Sequence, residues 1–446
     1  MKLGTRRRQA QRQATWAAAL VTATALVCAT PANAAPITSP GLEIERYPDL
    51  PNLPGWQPIP TIPGVTDALP DPTKPPVLHE GAPVPVAFDP TLIARSYSSD
   101  LATDKWLYMY VVDPFTELQR NHPEVMEQNL ETVVRINNDA KMDQEQIDLA
   151  LADDHDDPLL NMSVALGADL GRHLQEAFDE NRLPKTRVLL SGNLARGGML
   201  VSSTFIEKYI YNYDRPFVVA PERIERYYRN APGDDDPYTA TPSYPSGHTN
   251  NATWKATLLG LMLPEVAPQL QARASDAGHS RLVMGVHYPL DVMGGRMMGN
   301  QAAADRWADP EFRPLIEAAR DELRAELEWR CGATIAECVA ADTQYLSDAE
   351  AVQRYTERMT YDFEQIGASG QPLTVPRRYA GLLEARFPQL TESQRIQVLA
   401  QTAIDSGYPL DRSDTEGNHI RINMAAALAA QVSVNADGTV NVVVPS

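Results

Sequence analysis

Three short segments of this chain hold side chains of the types that handle a phosphate group. In the first, six residues separate Lys208 from Arg215-Pro216. Pro216 biases Arg215 toward extended geometry, so two cations can converge from a helix end and the loop after it. A planar guanidinium matches two phosphate oxygens, and an ammonium adds a point charge. In the second, Pro245-Ser246-Gly247-His248 stands ahead of a helical stretch from Thr249 to Leu263. A helix beginning at Ser246 presents free N–H groups and its positive dipole end to an anion. Gly247 allows close backbone approach, the Ser246 hydroxyl can donate, and His248 would stand beside the bound group as a proton donor. In the third, five residues separate Ser280-Arg281 from His287, and Asp291 follows four residues later. A carboxylate that accepts the proton of one imidazole nitrogen fixes the tautomer and leaves the other nitrogen free to attack. Taken singly, each segment has an ordinary explanation: surface cations, a serine cap, a surface ion pair.

The elements that must position these residues read as helices. Apolar residues recur at spacings of three and four over Glu124–Ile136, Met162–Asn181 and Arg187–Asn212, with Asp-, Gly- and Pro-containing breaks between them. A helix should run from about Ser246 to Leu263, and another should follow Pro289. Beyond Pro310 the charge density rises, and Pro314–Trp329, Asp348–Phe363, Pro376–Phe387 and Glu392–Ile404 read as amphipathic helices. Val432-Ser-Val and Val440-Asn-Val-Val-Val flank Asn435-Ala-Asp-Gly438, the pattern of a β-hairpin turning at Asp437-Gly438.

In this order and at these spacings the three segments resemble the signature of the type 2 phosphatidic acid phosphatase superfamily, which includes soluble bacterial acid phosphatases and vanadium haloperoxidases. Lys208, Arg215, Pro216, Pro245, Ser246, Gly247, His248, Ser280, Arg281, His287 and Asp291 carry the resemblance, which spans Lys208 to Asp291. It implies an all-α helical bundle of the acid phosphatase/vanadium haloperoxidase type, here with a proline-rich N-terminal arm and a small C-terminal β-hairpin. It further implies that Lys208, Arg215 and Arg281 bind phosphate oxygens together with Ser246 and the Gly247 N–H. His287 would attack phosphorus to form a phosphohistidine, oriented by Asp291, and His248 would protonate the leaving oxygen. The expected enzyme is a metal-independent phosphatase for phosphate monoesters, needing no cofactor and showing a bell-shaped pH profile with an acidic optimum. A vanadium-dependent haloperoxidase holding vanadate in the same pocket is the second reading. The third is an exported binding or cell-envelope interaction protein with a vestigial pocket.

The rest of the chain sets the context. Lys2, Arg6, Arg7, Arg8 and Arg12, an uncharged apolar stretch from Trp16 to Thr30, and Ala32-Asn33-Ala34 read as a signal peptide over residues 1–34. Prolines recur from Pro36 to about Pro90, so residues 35–92 read as an extended arm or linker. The helical phosphatase domain is placed at 93–310, and a helical extension ending in the hairpin at 311–446. The expected location is secreted, periplasmic or cell-envelope associated. The net charge of −19 argues against a nucleic-acid partner and demands a local cationic pocket for any phosphate ester, whether small or lipid- or glycan-linked. No stretch after the leader is long and apolar enough to span a membrane. Cys331 and Cys338, the cysteines beyond the leader, are expected to pair as a disulfide worth about 2.5 kcal/mol in the chain-entropy model. Asp153-Asp154-His155-Asp156-Asp157 reads as a solvated acidic loop rather than a metal site. Tyr209, Tyr211, Tyr213, Tyr227, Tyr228 and Tyr244 are expected mostly to pack, and His279 to lie at the surface.

Overall fold

Caps and prolines decide where most helices start. The computed structural model describes residues 75–100, 108–154, 158–190, 204–228, 238, 241–412 and 416–445, and among these the chain is helical apart from one two-stranded hairpin. The main helices are α1 (Pro123–Asp139), α2 (Gln144–Asp154), α3 (Ala168–Asp179), α4 (Pro184–Leu190), α5 (Phe205–Tyr211), α6 (Gly247–Met262), α7 (Ala267–Val283), α8 (Pro289–Ala308), α9 (Arg313–Cys331), α10 (Asp348–Thr360) and α11 (Glu392–Thr402). The signal peptide and most of the proline-rich arm lie outside the described residues. No helix among the described residues is long and apolar enough to cross a membrane.

The central helix is α6. Ser246 caps it in extended geometry, its hydroxyl accepting from the Thr249 N–H at 3.3 Å. Almost every residue of α6 is buried, so it has no solvent face, as befits a helix enclosed by others. It packs against α7 on one side and α8 on the other. The contact with α8 depends on glycine: a Cβ at Gly295 would lie 2.5 Å from the Ser246 carbonyl oxygen and 3.0 Å from Thr249 Cβ. Gly295→Ala should therefore push the start of α6 away and cost about 1–3 kcal/mol, read from a denaturant melt.

α8 starts with Pro289 at its first position, and the Asp291 carboxylate accepts from the Tyr288 N–H at 2.9 Å. Asp291 thus caps the helix with the carboxylate that also faces His287.

The C-terminal third packs onto this core through carboxylates at helix starts. Glu322 of α9 accepts from the Lys185 and Thr186 N–H groups at the start of α4, at 3.1 and 2.8 Å. Asp342 does the same for Asp169 and Leu170 of α3, at 2.9 Å each. That cap explains one departure from expectation. The helix placed over Met162–Asn181 instead breaks at Gly167 (φ 108°), and α3 starts only after it. Another departure is Pro376–Phe387, which contains a 3-10 turn at Tyr379–Leu383 rather than an amphipathic α-helix. Arg378 there adopts a left-handed conformation, φ 68°, while its guanidinium reaches Asp305 at 2.8 Å. A residue in that conformation cannot continue a right-handed helix. Of Arg187–Asn212, the ends belong to α4 and α5, and residues 191–203 lie outside the described part.

The hairpin pairs Gln431–Val434 (β1) antiparallel to Val440–Val443 (β2), with Gly438 at φ 85° in the turn. Gln397 and Gln401 of α11 bond the Val440 N–H and C=O, so this edge is tied to a helix. Cys331 and Cys338 form the expected disulfide. The described end of the proline-rich arm docks through Arg182, which is buried and bidentate to Glu326 while donating to the carbonyls of Val77 and Pro83.

Candidate active site

His287 sits in the turn between α7 and α8 and is buried. Its Nδ1 lies 3.0 Å from Asp291 Oδ2, and the Ser243 hydroxyl donates to that same oxygen. With Asp291 accepting the Nδ1–H, Nε2 carries the lone pair. Arg215 Nη1 stands 3.2 Å from Nε2, so a guanidinium N–H donates to that lone pair and lies where a phosphoryl oxygen would arrive. Burial disfavours the imidazolium, and Lys208, Arg215, Arg281 and His248 repel it further, holding the His287 pKa well below its usual value. The neutral ring is a competent nucleophile at neutral pH. Burial raises the Asp291 carboxyl to about 6, against the opposing hydrogen bonds from Ser243 and the Tyr288 N–H and the charges of Lys208 and Arg215.

The cations come from three elements. Lys208, in the last turn of α5, donates to the carbonyls of Pro242 and Ser243 at 3.0 and 2.6 Å. Burial and the charges of Arg215 and Arg281 push its pKa well down, so an arriving anion would stabilise the ammonium. Arg215 is extended, as Pro216 requires, and is fixed by the Thr241 carbonyl at 2.8 Å and the Val286 carbonyl at 2.7 Å. Burial lowers its pKa to about 10, which leaves it charged. Arg281, near the end of α7, is buried, and its Nη2 donates to the Tyr238 hydroxyl at 2.7 Å. Its Nε is buried with no hydrogen-bond partner among the described residues. Such an orphaned charged donor suits an anion-binding pocket. Ser246 and Gly247 bring the start of α6, and His248 follows on its first turn.

Asp153 and Asp154 depart from expectation. They are not solvated but buried at the end of α2. Asp153 pairs with Arg273 and accepts from the Ser280 hydroxyl at 2.7 Å, while Asp154 Oδ1 lies 2.8 Å from Arg281 Nη1. The reason is that α7 presents two arginines, eight residues apart, to the end of α2. His155, Asp156 and Asp157 lie outside the described residues. His279 is not at the surface either. It is partly buried against Tyr361, and burial pushes its pKa to about 3, leaving it neutral. The tyrosines largely pack: Tyr244 stacks on Phe115 at 3.7 Å, Tyr211 meets Tyr244 edge-on, and Tyr213 tilts on Tyr288. Sequence reasoning missed Ser243 and Tyr238, since neither stands at a fixed spacing from a recognisable segment.

Residues 188–306 match the PAP2 superfamily. The chain is also similar to a non-specific acid phosphatase of Salmonella typhimurium, 34% identical over 140 residues, covering 31% of this chain and 53% of that protein. A non-specific acid phosphatase of Providencia stuartii is 30% identical over 147 residues, 32% of this chain and 55% of that protein. An acid phosphatase of Zymomonas mobilis is 34% identical over 113 residues, 25% of this chain and 41% of that protein. The chain thus spans about half the length, or less, of these curated relatives.

Proposed function

With residues 188–306 forming a PAP2 superfamily segment, we propose that the protein is a phosphatase hydrolysing phosphate monoesters through a phosphohistidine on His287. The observation that carries this is the placement of Arg215 against Nε2 of the Asp291-held His287, with Lys208, Arg281 and the start of α6 near them. The phosphoryl oxygens are bound by Lys208, Arg215, Arg281, the Ser246 hydroxyl and the Gly247 N–H. His287 Nε2 attacks phosphorus in line, the P–O bond to the leaving group breaks, and His248 gives that oxygen its proton. Water then attacks the phosphohistidine, His248 takes the water's proton, and the P–N bond breaks to release phosphate. Asp291 keeps the Nδ1–H throughout and stabilises the ring as it gains charge. Three cations and a helix start meet the transition-state charge, so the reaction needs no metal ion.

The names of the matched relatives support ester hydrolysis over vanadate-dependent halide oxidation. Export from the cytoplasm is part of the proposal, supported by the signal-like leader and by a disulfide that suits an oxidising compartment. The direct test is an assay of a chromogenic phosphate monoester with excess chelator, beside halide oxidation with added vanadate. Turnover of the ester that survives the chelator is expected; halide oxidation without ester hydrolysis would replace this reading with a haloperoxidase. The pH profile of kcat/KM should be a bell. Its acid limb reports protonation of Asp291, whose folded pKa is raised to about 6, and its basic limb loss of the His248 proton.

A further inference from the structure

Two carboxylates, not one, stand among the histidines of this pocket. Asp291 holds the nucleophile. Asp154 reaches Arg281 from the end of α2. Its Oδ1 lies 2.8 Å from Arg281 Nη1 and 3.7 Å from His248 Nε2, and it accepts from the Tyr238 hydroxyl. Asp154 is buried, whereas His248 is partly exposed. Its neighbour Asp153 is fully engaged elsewhere, by Arg273 and Ser280.

We propose that Asp154 is a positioning residue for the proton donor: it holds His248 as an imidazolium with Nε2 turned toward α2, and so assigns proton delivery to Nδ1. An imidazolium carries a proton on each nitrogen, and the one facing a carboxylate is retained. The other remains for the leaving oxygen. The groups that face His248 make this carboxylate necessary. Arg281 from α7, which meets the same Asp154 oxygen, disfavours a second positive charge there, whereas His287 and Tyr238 are neutral. Asp154 neutralises Arg281 and attracts the imidazolium at once. In this arrangement the two histidines are driven in opposite directions, the buried one toward neutrality and the other toward charge.

This inference rests on the phosphomonoesterase reading, and its test separates the two. Asp154→Asn keeps the shape and removes the charge. It should reduce kcat/KM for an alkyl phosphate by about 30-fold or more, and for an aryl phosphate, whose leaving group departs without help, by less than about 5-fold. The basic limb of the kcat/KM profile should move to lower pH. Equal losses on both esters with an unmoved limb would mean that Asp154 only braces Arg281, and would overturn the proposal. Asp153→Asn is the control for fold damage, expected to lower Tm without separating alkyl from aryl esters. NMR titration of the His248 ring, parent against Asp154→Asn, reads the same effect without turnover. A midpoint that falls in the variant supports the assignment, and one that stays put refutes it. If the wild-type protein hydrolyses neither ester, the phosphatase reading fails while the titration still decides the role of Asp154.

Discussion

His287→Ala should lower kcat by roughly 10⁴- to 10⁶-fold, the scale of losses when an enzyme is deprived of its nucleophile. The residue has no substitute within the pocket. His248 is the other imidazole near the cations, but it lies in the first turn of α6 and faces Asp154 rather than Asp291. Truncation leaves Lys208, Arg215 and Arg281 in place, so the variant should still bind inorganic phosphate or a substrate ester, measurable by calorimetry. Activity within about tenfold of wild type would show that phosphorus is attacked by another group, water included. Loss of binding together with activity would point instead to a collapsed pocket.

His248→Ala should behave differently, because this side chain serves both halves of the cycle. Loss of a general acid costs about 10²–10⁴-fold on esters with poor leaving groups. With an aryl ester the first half needs no proton donor, whereas the second half still lacks a base for the attacking water. The phosphoenzyme should then accumulate, and rapid quenching should give a burst of released phenol near one equivalent per site. The protein should carry an acid-labile, base-stable phosphoryl label, as expected of a phosphoramidate. Proteolytic mapping of that label to the peptide containing His287 would join the two predictions. Slow turnover with no burst and no label would indicate direct hydrolysis by water.

The parts of the site legible in the sequence are those whose geometry is set within a few residues. Pro216 fixes Arg215, Ser246 caps α6, and the His287–Asp291 spacing spans the turn that begins α8. Each is a local backbone constraint, which sequence spacing encodes directly. Asp154, Ser243 and Tyr238 were not legible, because they enter from segments whose distance along the chain from His287 carries no structural meaning. The Asp153–Asp154 pair was misread for a related reason. A run of acidic residues is ordinarily solvated, and only the facing arginines of α7 bring this one inside. The long helices were legible from period and caps. The Tyr379–Leu383 turn was not, because its left-handed Arg378 answers to a partner on α8 and not to local propensity.

The acidic caps that Glu322 and Asp342 place on α4 and α3 have a consequence for when this protein can fold. Those helix starts precede their caps by well over a hundred residues, as the separations of 137 and 173 between Lys185 and Glu322 and between Asp169 and Asp342 record. During synthesis α3 and α4 are therefore complete more than a hundred residues before their starts can be sealed. Until Glu322 and Asp342 have been made, those N–H groups lack the carboxylates that seal them in the folded protein.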